Sequence, residues 1–139
     1  METGISQRPS KVVHDRKGSA VSEAEIDDFD WKEILKDAIW FHFTGITPAM
    51  SDKAALVTLD ACKTARVMGI TISAVINYRK KLWSPDKALK VISELMQYVD
   101  VIIGNKEDTE KVFRIKATES DVIKGNINLE GYKKYQKNC

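Results

Sequence analysis

The sequence is poor in the residues that build disulfide frameworks and metal clusters. Among 139 residues there are two cysteines, Cys62 and Cys139, and two histidines, none of them close together in the sequence. This spacing excludes a disulfide scaffold and contains no Cys/His pattern of the metal-binding kind. Cys62 lies in a helical pattern with Leu59 and Ala65, so we expect it to be a small buried side chain.

Long apolar runs and a strong charge of one sign are also absent. No stretch approaches the roughly 20 apolar residues that cross a membrane, and the polar first twenty residues are unlike a signal peptide. The net charge is only +2, with 43% hydrophobic residues, as expected for one globular domain. We therefore expect a cytoplasmic protein with no membrane or nucleic-acid partner, and a solvated helix face for Lys133, Lys134 and Lys137.

Three short apolar runs predict buried β-strands, at 39–43, 71–76 and 101–103. A helical pattern follows each run. The order strand, helix, strand, helix, strand, helix predicts parallel strands joined by right-handed crossovers. Because the strands are apolar throughout rather than alternating, we expect a sheet that is covered on both faces.

Capping residues and helix breakers mark the predicted helices. Ser51 precedes a helix that extends to about Met68 and stops at Gly69. Ser84 and Pro85 start a second helix, a third covers 106–113, and a last one is predicted at 129–137. The inward stripe of the first of these helices is predicted to consist of Ala55, Leu59 and Cys62, with Leu56 beside them.

The segment before the first strand is polar. Residues 11–22 contain short β-like pieces with mixed charge and predict an exposed hairpin that acts as a flap. An acidic cluster from Asp27 to Asp30 then begins a helix, where the helix dipole favours negative charge. Asp30 is the predicted N-cap before Trp31.

Two polar loop motifs follow the second and third predicted strands. Residues 77–83 read Asn-Tyr-Arg-Lys-Lys-Leu-Trp, and residues 104–108 read Gly-Asn-Lys-Glu-Asp. Ligands of parallel α/β sheets bind at the carboxyl ends of the strands, so both motifs are expected along one edge. A cationic loop beside a carboxylate-rich one suits a phosphorylated or carboxylated ligand with a metal ion, and points to phosphoryl transfer.

Each candidate residue also has a purely structural interpretation. The guanidinium of Arg79 either binds carboxylate or phosphate through two parallel hydrogen bonds or is an ordinary surface cation. Asn105, Glu107 and Asp108 either cap a helix or hold a hydrated Mg²⁺ beside nucleotide phosphates. His42 is expected to be a hydrogen-bonded core histidine.

Four blocks of the sequence, taken together, resemble one family. Residues 5–20, 40–49, 77–83 and 104–108 are similar, in the same order, to successive blocks of the 2-keto-3-deoxygluconate kinases, which are ribokinase-like (PfkB) carbohydrate kinases. The resemblance runs from about Glu2 to Ile115. It implies a three-layer, Rossmann-like α/β parallel sheet, with a β-hairpin lid over residues 1–25 and a partial ribokinase-like domain over 26–139.

The resemblance also implies roles for individual residues, with ATP and Mg²⁺ as cofactors and a sugar acid as substrate. Residues 105–108 match the family's Asn-x-x-Glu element, which organises Mg²⁺ and the ATP phosphates. His14 stands where the family usually has a tyrosine that contacts the substrate. Four residues are assigned to the substrate: His14, Arg16, Ile46 and Arg79. Three are associated with the nucleotide and Mg²⁺: Asn77, Asn105 and Asp108.

The sequence also departs from the family pattern. Val75 replaces an acid that the family typically has at the end of the second strand, and Lys106 stands where an acidic residue is common. The 139 residues contain neither the Gly-Gly substrate motif nor the Gly-Ala-Gly-Asp element, which supplies the anion hole and the catalytic aspartate. The resemblance therefore implies a central fragment of a sugar-acid kinase that is a poor catalyst in isolation.

Two other interpretations remain open. In the first, the chain is a non-catalytic module that forms a homo-oligomer or associates with another chain through an exposed sheet edge or the lid, because uncovered edges favour association. In the second, it belongs to a sugar kinase of different specificity, since Arg16 and Arg79 favour an acid over a neutral sugar only by their charge.

Overall fold

The structure is a computed structural model that describes residues 18–114. The strands of this part are β1 (Trp40–Thr44), β2 (Thr71–Val75) and β3 (Val101–Ile103). Its α-helices are α1 (Ala20–Glu23), α2 (Trp31–Ile34), α3 (Ile46–Ala49), α4 (Asp52–Val67), α5 (Pro85–Met96) and α6 (Lys106–Phe113), with a 3₁₀ turn at Ile26–Asp28. Within these residues, no helix has the length and apolar character needed to cross a membrane.

The three strands form a parallel sheet in the order β1-β2-β3. Phe43 lies opposite Ala74, which in turn lies opposite Ile102. The predicted parallel α/β architecture is therefore confirmed, and β1 begins one residue later than predicted. Since each crossover connects neighbouring strands with the same hand, α4 and α5 lie on the same side of the sheet.

The core lies between β2 and these two helices. Its strand residues are Ile72, Ala74 and Ile76, of which none is more than 2% exposed. They form one apolar cluster with the inward faces of the helices, which include Cys62, Ala65, Ile92 and Leu95. Ala88, Ile92 and Leu95 are the buried residues of α5.

The opposite face of the sheet is largely open. The register places Trp40, His42, Ser73, Val101 and Ile103 on this face, and the side chains of Trp40 and Ile103 are 54% and 53% exposed. The expectation of a sheet covered on both faces is therefore not met within residues 18–114. The strand order β1-β2-β3 explains the open face, because it places the helices of both crossovers on the other side of the sheet.

The buried stripe of α4 differs from the predicted one. Of the three residues predicted to form it, Cys62 alone is fully buried, and Ala55 and Leu59 are only partly buried. Leu56, predicted beside them, is 54% exposed. The observed buried stripe consists of small and β-branched side chains: Ala54, Val57, Thr58, Ala61, Cys62 and Ala65.

The predicted helix boundaries are largely confirmed by their caps. The Ser51 hydroxyl accepts a hydrogen bond from the Ala54 amide at 2.9 Å. The Ser84 hydroxyl accepts one from the Lys87 backbone amide at 3.3 Å. Asp30 caps α2 in the same way. Gly69 ends α4 with a φ of +72°, a conformation that favours glycine.

The last part of the predicted hairpin is helical instead. Residues 20–23 form α1, because Ser22 is tied from both sides. Its hydroxyl donates to the Ser19 carbonyl at 2.8 Å, and its own carbonyl accepts from the Ser51 hydroxyl at 2.7 Å. The remainder of the predicted hairpin, the last predicted helix and the C-terminal lysine cluster lie outside the described residues.

Asp100 fastens the start of the sheet. One carboxylate oxygen accepts the Ile72 amide at 2.8 Å, and the other accepts from the Arg66 guanidinium at 3.0 Å. Arg66 also donates to the Tyr98 carbonyl at 2.6 Å. The hydrogen bond from the Ile72 amide, followed by that from Arg66, holds the pKa of Asp100 below its ordinary value.

Gly45 allows the ends of β1 and β2 to meet. A Cβ at this position would lie 2.1 Å from the Ile76 carbonyl oxygen, whereas a Cβ at Gly104 would lie 2.7 Å from the flexible end of the Ile76 side chain. We therefore expect Gly45→Ala to lower the free energy of unfolding by about 3 kcal/mol or more, and Gly104→Ala to cost less. Urea denaturation measures the free energy of unfolding of both variants. A smaller loss of stability in Gly45→Ala than in Gly104→Ala would contradict the prediction.

The Asp100 network makes stability depend on acid pH. The pKa of Asp100 is lower in the folded chain than in the unfolded chain. Its contribution to the free energy of unfolding is therefore fully present above the unfolded pKa of about 3.9 and is lost as the pH falls through the folded pKa. Asp100→Asn should therefore narrow the stability difference between pH 7 and pH 3 in urea denaturation. Asp37→Asn, an exposed carboxylate outside the network, is the control, and an equal narrowing there would refute the assignment.

Candidate functional site

The carboxyl ends of the three strands are held together by backbone hydrogen bonds. The Gly45 amide donates to the Val75 carbonyl at 2.8 Å, and the Ile76 amide donates to the Ile103 carbonyl at 2.9 Å. The loops that follow therefore start side by side along one edge of the sheet. This is the edge at which the sequence placed the cationic and acidic motifs.

The first polar pair of this edge joins β1 to β2. Asn77 directs its Nδ2 toward the Thr44 hydroxyl, at 3.4 Å, and the Ile46 amide faces the same oxygen, also at 3.4 Å. Asn77 has a φ of +45°, in the left-handed region that asparagine tolerates better than most residues. Thr44 was not identified from the sequence, although a polar residue that ends an apolar strand is a usable signal.

The loop that carries Arg79 is anchored by two buried aromatic side chains. Tyr78 and Trp83 are 8% and 6% exposed, and the Tyr78 hydroxyl donates to the Trp83 carbonyl at 3.3 Å. Between them, Arg79, Lys80 and Lys81 are exposed. Trp83 therefore packs the loop against the core, and the Arg79 guanidinium forms no hydrogen bond or ion pair with another side chain of residues 18–114.

The motif after β3 begins α6 and caps it. The side-chain oxygen of Asn105 accepts a hydrogen bond from the Asp108 backbone amide at 2.7 Å. The Nδ2 of Asn105 donates to the Asp108 carboxylate at 3.2 Å. The Thr109 hydroxyl adds a bond to the Asn105 backbone carbonyl at 2.8 Å. The capping interpretation is therefore confirmed for Asn105, and the same contacts fix the orientation of the Asp108 carboxylate.

The carboxylates of this edge suit a hydrated magnesium ion better than a protein-built metal cage. Residues 18–114 contain no group of three or more His, Cys, Asp or Glu side chains that could hold a metal. Glu107 is paired with Lys111, whose hydrogen bond lowers the pKa of Glu107. Asp108 and Asn105 remain, and they fit Mg²⁺ because this ion keeps several waters and needs only one or two carboxylates.

A second polar cluster lies on the open face of the sheet. The Ser73 hydroxyl accepts from the Trp40 indole at 2.8 Å and lies 2.7 Å from His42 Nδ1. His42 is hydrogen-bonded as predicted, but it is exposed. The prediction of a core position was wrong because His42 lies on the open face of the sheet. The signal in the sequence was Ser73 itself, a polar residue inside an apolar strand.

The other predicted site residues are less informative. Ile46 is the first residue of α3 and is partly buried, while His14 and Arg16 lie outside the described residues. Cys62 is fully buried, and burial raises the pKa of its thiol to about 12. The thiol therefore stays protonated and is no nucleophile.

Comparison with known proteins identifies the family. Residues 10–128 match the pfkB family carbohydrate kinases. The chain is 36% identical over 133 residues to the 2-dehydro-3-deoxygalactonokinase of Haloferax volcanii, covering 94% of this chain and 42% of that protein. It is 32% identical over 130 residues to the 2-dehydro-3-deoxygluconokinase of Thermoproteus tenax, covering 91% of this chain and 35% of that protein.

A solved structure agrees with the sequence comparisons. The crystal structure of the 2-dehydro-3-deoxygluconokinase of Thermotoga maritima superimposes with a TM-score of 0.83 at 48% identity, over 97% of this chain and 40% of that one. The chain thus spans less than half the length of these relatives. With a family match that covers most of its residues, the chain belongs to the PfkB family of carbohydrate kinases.

Proposed function

We propose that this chain forms part of a kinase that transfers the γ-phosphate of ATP to a 2-keto-3-deoxy sugar acid, with 2-keto-3-deoxygluconate as the first candidate. The observation that carries the proposal is the carboxyl edge of the sheet. There, an anchored loop carries Arg79, and the loop after the neighbouring strand carries the Asn105–Asp108 cap. A cation for the acid and a carboxylate for a hydrated metal lie on neighbouring loops.

The charge of Arg79 suits the substrate class. A sugar acid has a carboxylate, which a guanidinium binds through two parallel hydrogen bonds. The loop has two buried aromatic anchors, so little ordering is needed when the acid binds. Arg16, His14 and Ile46 would complete the sugar-acid side of the site, as the family resemblance implies.

The nucleotide side of the proposal rests on Asn77, Asn105 and Asp108. Asp108 and Asn105 would hold a hydrated Mg²⁺ on the side of the ATP phosphates, and Asn77 would lie next to them at the end of β2. When bound, Mg²⁺ balances the charge of the phosphates during phosphoryl transfer. The fixed orientation of the Asp108 carboxylate supports this role, because a positioned ligand loses little entropy on binding.

The choice of gluconate over galactonate rests on the relatives. The Thermotoga protein, at 48% identity, is named for the gluconate compound, and the Haloferax protein, at 36%, for the galactonate compound. The two sugar acids share the carboxylate that Arg79 would bind. A comparison of both acids with a neutral sugar therefore separates the substrate class from the choice between them.

A polypeptide of these 139 residues should be a poor kinase in isolation. It contains no Gly-Ala-Gly-Asp element, and general bases and anion holes each contribute on the order of 10² to 10⁴ in rate. With ATP, Mg²⁺ and 2-keto-3-deoxygluconate, we expect turnover at least about 10⁴-fold below that of the Thermotoga relative in the same coupled assay. Turnover within tenfold of that relative would show that the chain holds a complete catalytic site.

Binding of the sugar acid tests the role of Arg79 without requiring turnover. Removal of a charge-assisted hydrogen bond costs about 1.5–3 kcal/mol, so Arg79→Ala should weaken 2-keto-3-deoxygluconate binding by roughly 10- to 150-fold in calorimetric titration of the chain. Lys81→Ala is the matched control, since it removes an exposed cation from the same loop. Equal affinities of the Arg79→Ala variant and the unaltered chain would remove Arg79 from the site.

A further inference from the structure

The hydroxyl group at the end of β1 has both of its acceptor positions in use. The Thr44 Oγ1 accepts a hydrogen bond from Asn77 Nδ2 at 3.4 Å and a second one from the Ile46 backbone amide, also at 3.4 Å. A hydroxyl has one donor hydrogen and two acceptor lone pairs. Because both lone pairs face donors, the hydroxyl hydrogen of Thr44 points away from Asn77 and from the Ile46 amide. What Thr44 has left to contribute to a ligand is therefore a hydrogen-bond donor.

The neighbours of this hydroxyl in the sheet have no acceptor side chain to offer it. In the last paired row of the strands, Thr44 lies opposite Val75, which lies opposite Ile103. Both neighbours are aliphatic, so Thr44 has the one polar side chain of the row. The row lies at the carboxyl end of the strands, on the open face of the sheet, and the Thr44 side chain is only half-buried. A ligand at this edge can therefore reach the hydroxyl.

The order of the strands places Thr44 on the sugar-acid side of the edge. Neighbouring strands lie about 4.8 Å apart. The end of β1 is one such spacing from β2, after which the loop with Arg79 begins, and two spacings from β3, after which Asn105 and Asp108 follow. The contact between Thr44 and Asn77 shows the same proximity. Thr44 is therefore nearer to the start of the Arg79 loop than to the cap that suits hydrated Mg²⁺.

The acid end of a 2-keto acid consists of oxygens that only accept hydrogen bonds. The carboxylate has two of them, and the ketone at the next carbon has a third. The guanidinium of Arg79 can bind the carboxylate through two parallel hydrogen bonds, which leaves the ketone oxygen to a different donor. An acceptor that loses its water without gaining a donor costs free energy comparable to a lost hydrogen bond. A neutral hydroxyl that has only its hydrogen to offer matches this requirement.

We propose that the Thr44 hydroxyl donates a hydrogen bond to the 2-keto oxygen of the sugar acid, next to the carboxylate that Arg79 binds. The inference rests on the proposed function and adds to it a residue that recognises the oxygen at C2. Arg79 then selects for the charge of the acid, and Thr44 selects for the keto group beside that charge. Because Asn77 and the Ile46 amide fix the direction of the hydroxyl, little ordering is needed when the ligand binds.

Three variants of the 139-residue chain test the hydroxyl by calorimetric titration with 2-keto-3-deoxygluconate. Thr44→Val removes the hydroxyl and keeps the shape of the side chain, so it should weaken binding by about 3- to 10-fold, the usual worth of a neutral hydrogen bond. Thr44→Ser retains the hydroxyl and should restore most of the affinity. Thr71→Val is the matched control, because Thr71 is a half-buried threonine at the opposite end of β2. Equal affinities of Thr44→Val and Thr71→Val overturn the proposal.

A ligand without the keto oxygen separates direct contact from a structural effect on the loop. The probe is 4,5,6-trihydroxyhexanoate with the configuration of 2-keto-3-deoxygluconate at C4 and C5, since it differs from that acid only by the missing oxygen at C2. The unaltered chain should prefer the keto acid by at least about threefold, and Thr44→Val should lose this preference. A Thr44→Val variant that binds both acids more weakly by the same factor shows that Thr44 only supports Asn77 and Ile46. That result overturns the proposal.

The same titrations distinguish a failure of this inference from a failure of the proposed function. Weaker binding in Arg79→Ala, with unchanged binding in Thr44→Val, supports the proposed function and overturns the role of Thr44 alone. No binding of either acid by the unaltered chain overturns both. A titration with ATP and Mg²⁺ provides the remaining outcome. If Thr44→Val weakens ATP binding instead of sugar-acid binding, the hydroxyl belongs to the nucleotide side and the proposal is overturned.

Discussion

The structure depends on β2, the central strand, which α4 and α5 cover on one side. Ile72, Ala74 and Ile76 are buried, and each neighbouring strand is held in register against them. Because the strands are parallel, the loops after all three strands emerge at one edge. Because both crossovers run on the same side, the other face of the sheet is left open within residues 18–114. The position of the polar groups and the unfilled surfaces therefore follow from one arrangement of strands.

The close approach of Gly45 to the Ile76 carbonyl links the fold to the candidate site. It lets the Gly45 amide reach Val75, and this in turn places Thr44 within reach of Asn77. The loop with Arg79 continues directly from that point. A displacement of the β1 end would thus move the polar edge as a whole, so stability and binding are expected to be coupled here.

Local signals made much of the fold predictable. The caps at Ser51 and Ser84 and the stop at Gly69 were identified because each depends on neighbours in the sequence. The exposure of His42 and Leu56 could not be predicted, since it depends on which side the crossovers run and on which face of α4 is buried. At the site, Arg79 and Asn105 could be placed at one edge from the sequence, because both follow the ends of parallel strands. The contacts of Ser73 with Trp40 and His42 could not be predicted, because they depend on the register between β1 and β2.

We propose that the carboxyl edge of the sheet binds a sugar acid. NMR shift mapping of the ¹⁵N-labelled chain during titration with 2-keto-3-deoxygluconate, and separately with neutral 2-deoxyglucose, tests it most directly. We expect saturable shifts that are confined to residues 44–46, 77–81 and 104–108 and that occur with the acid alone. Shifts at the opposite end of the strands, or equal shifts with the neutral sugar, would contradict it.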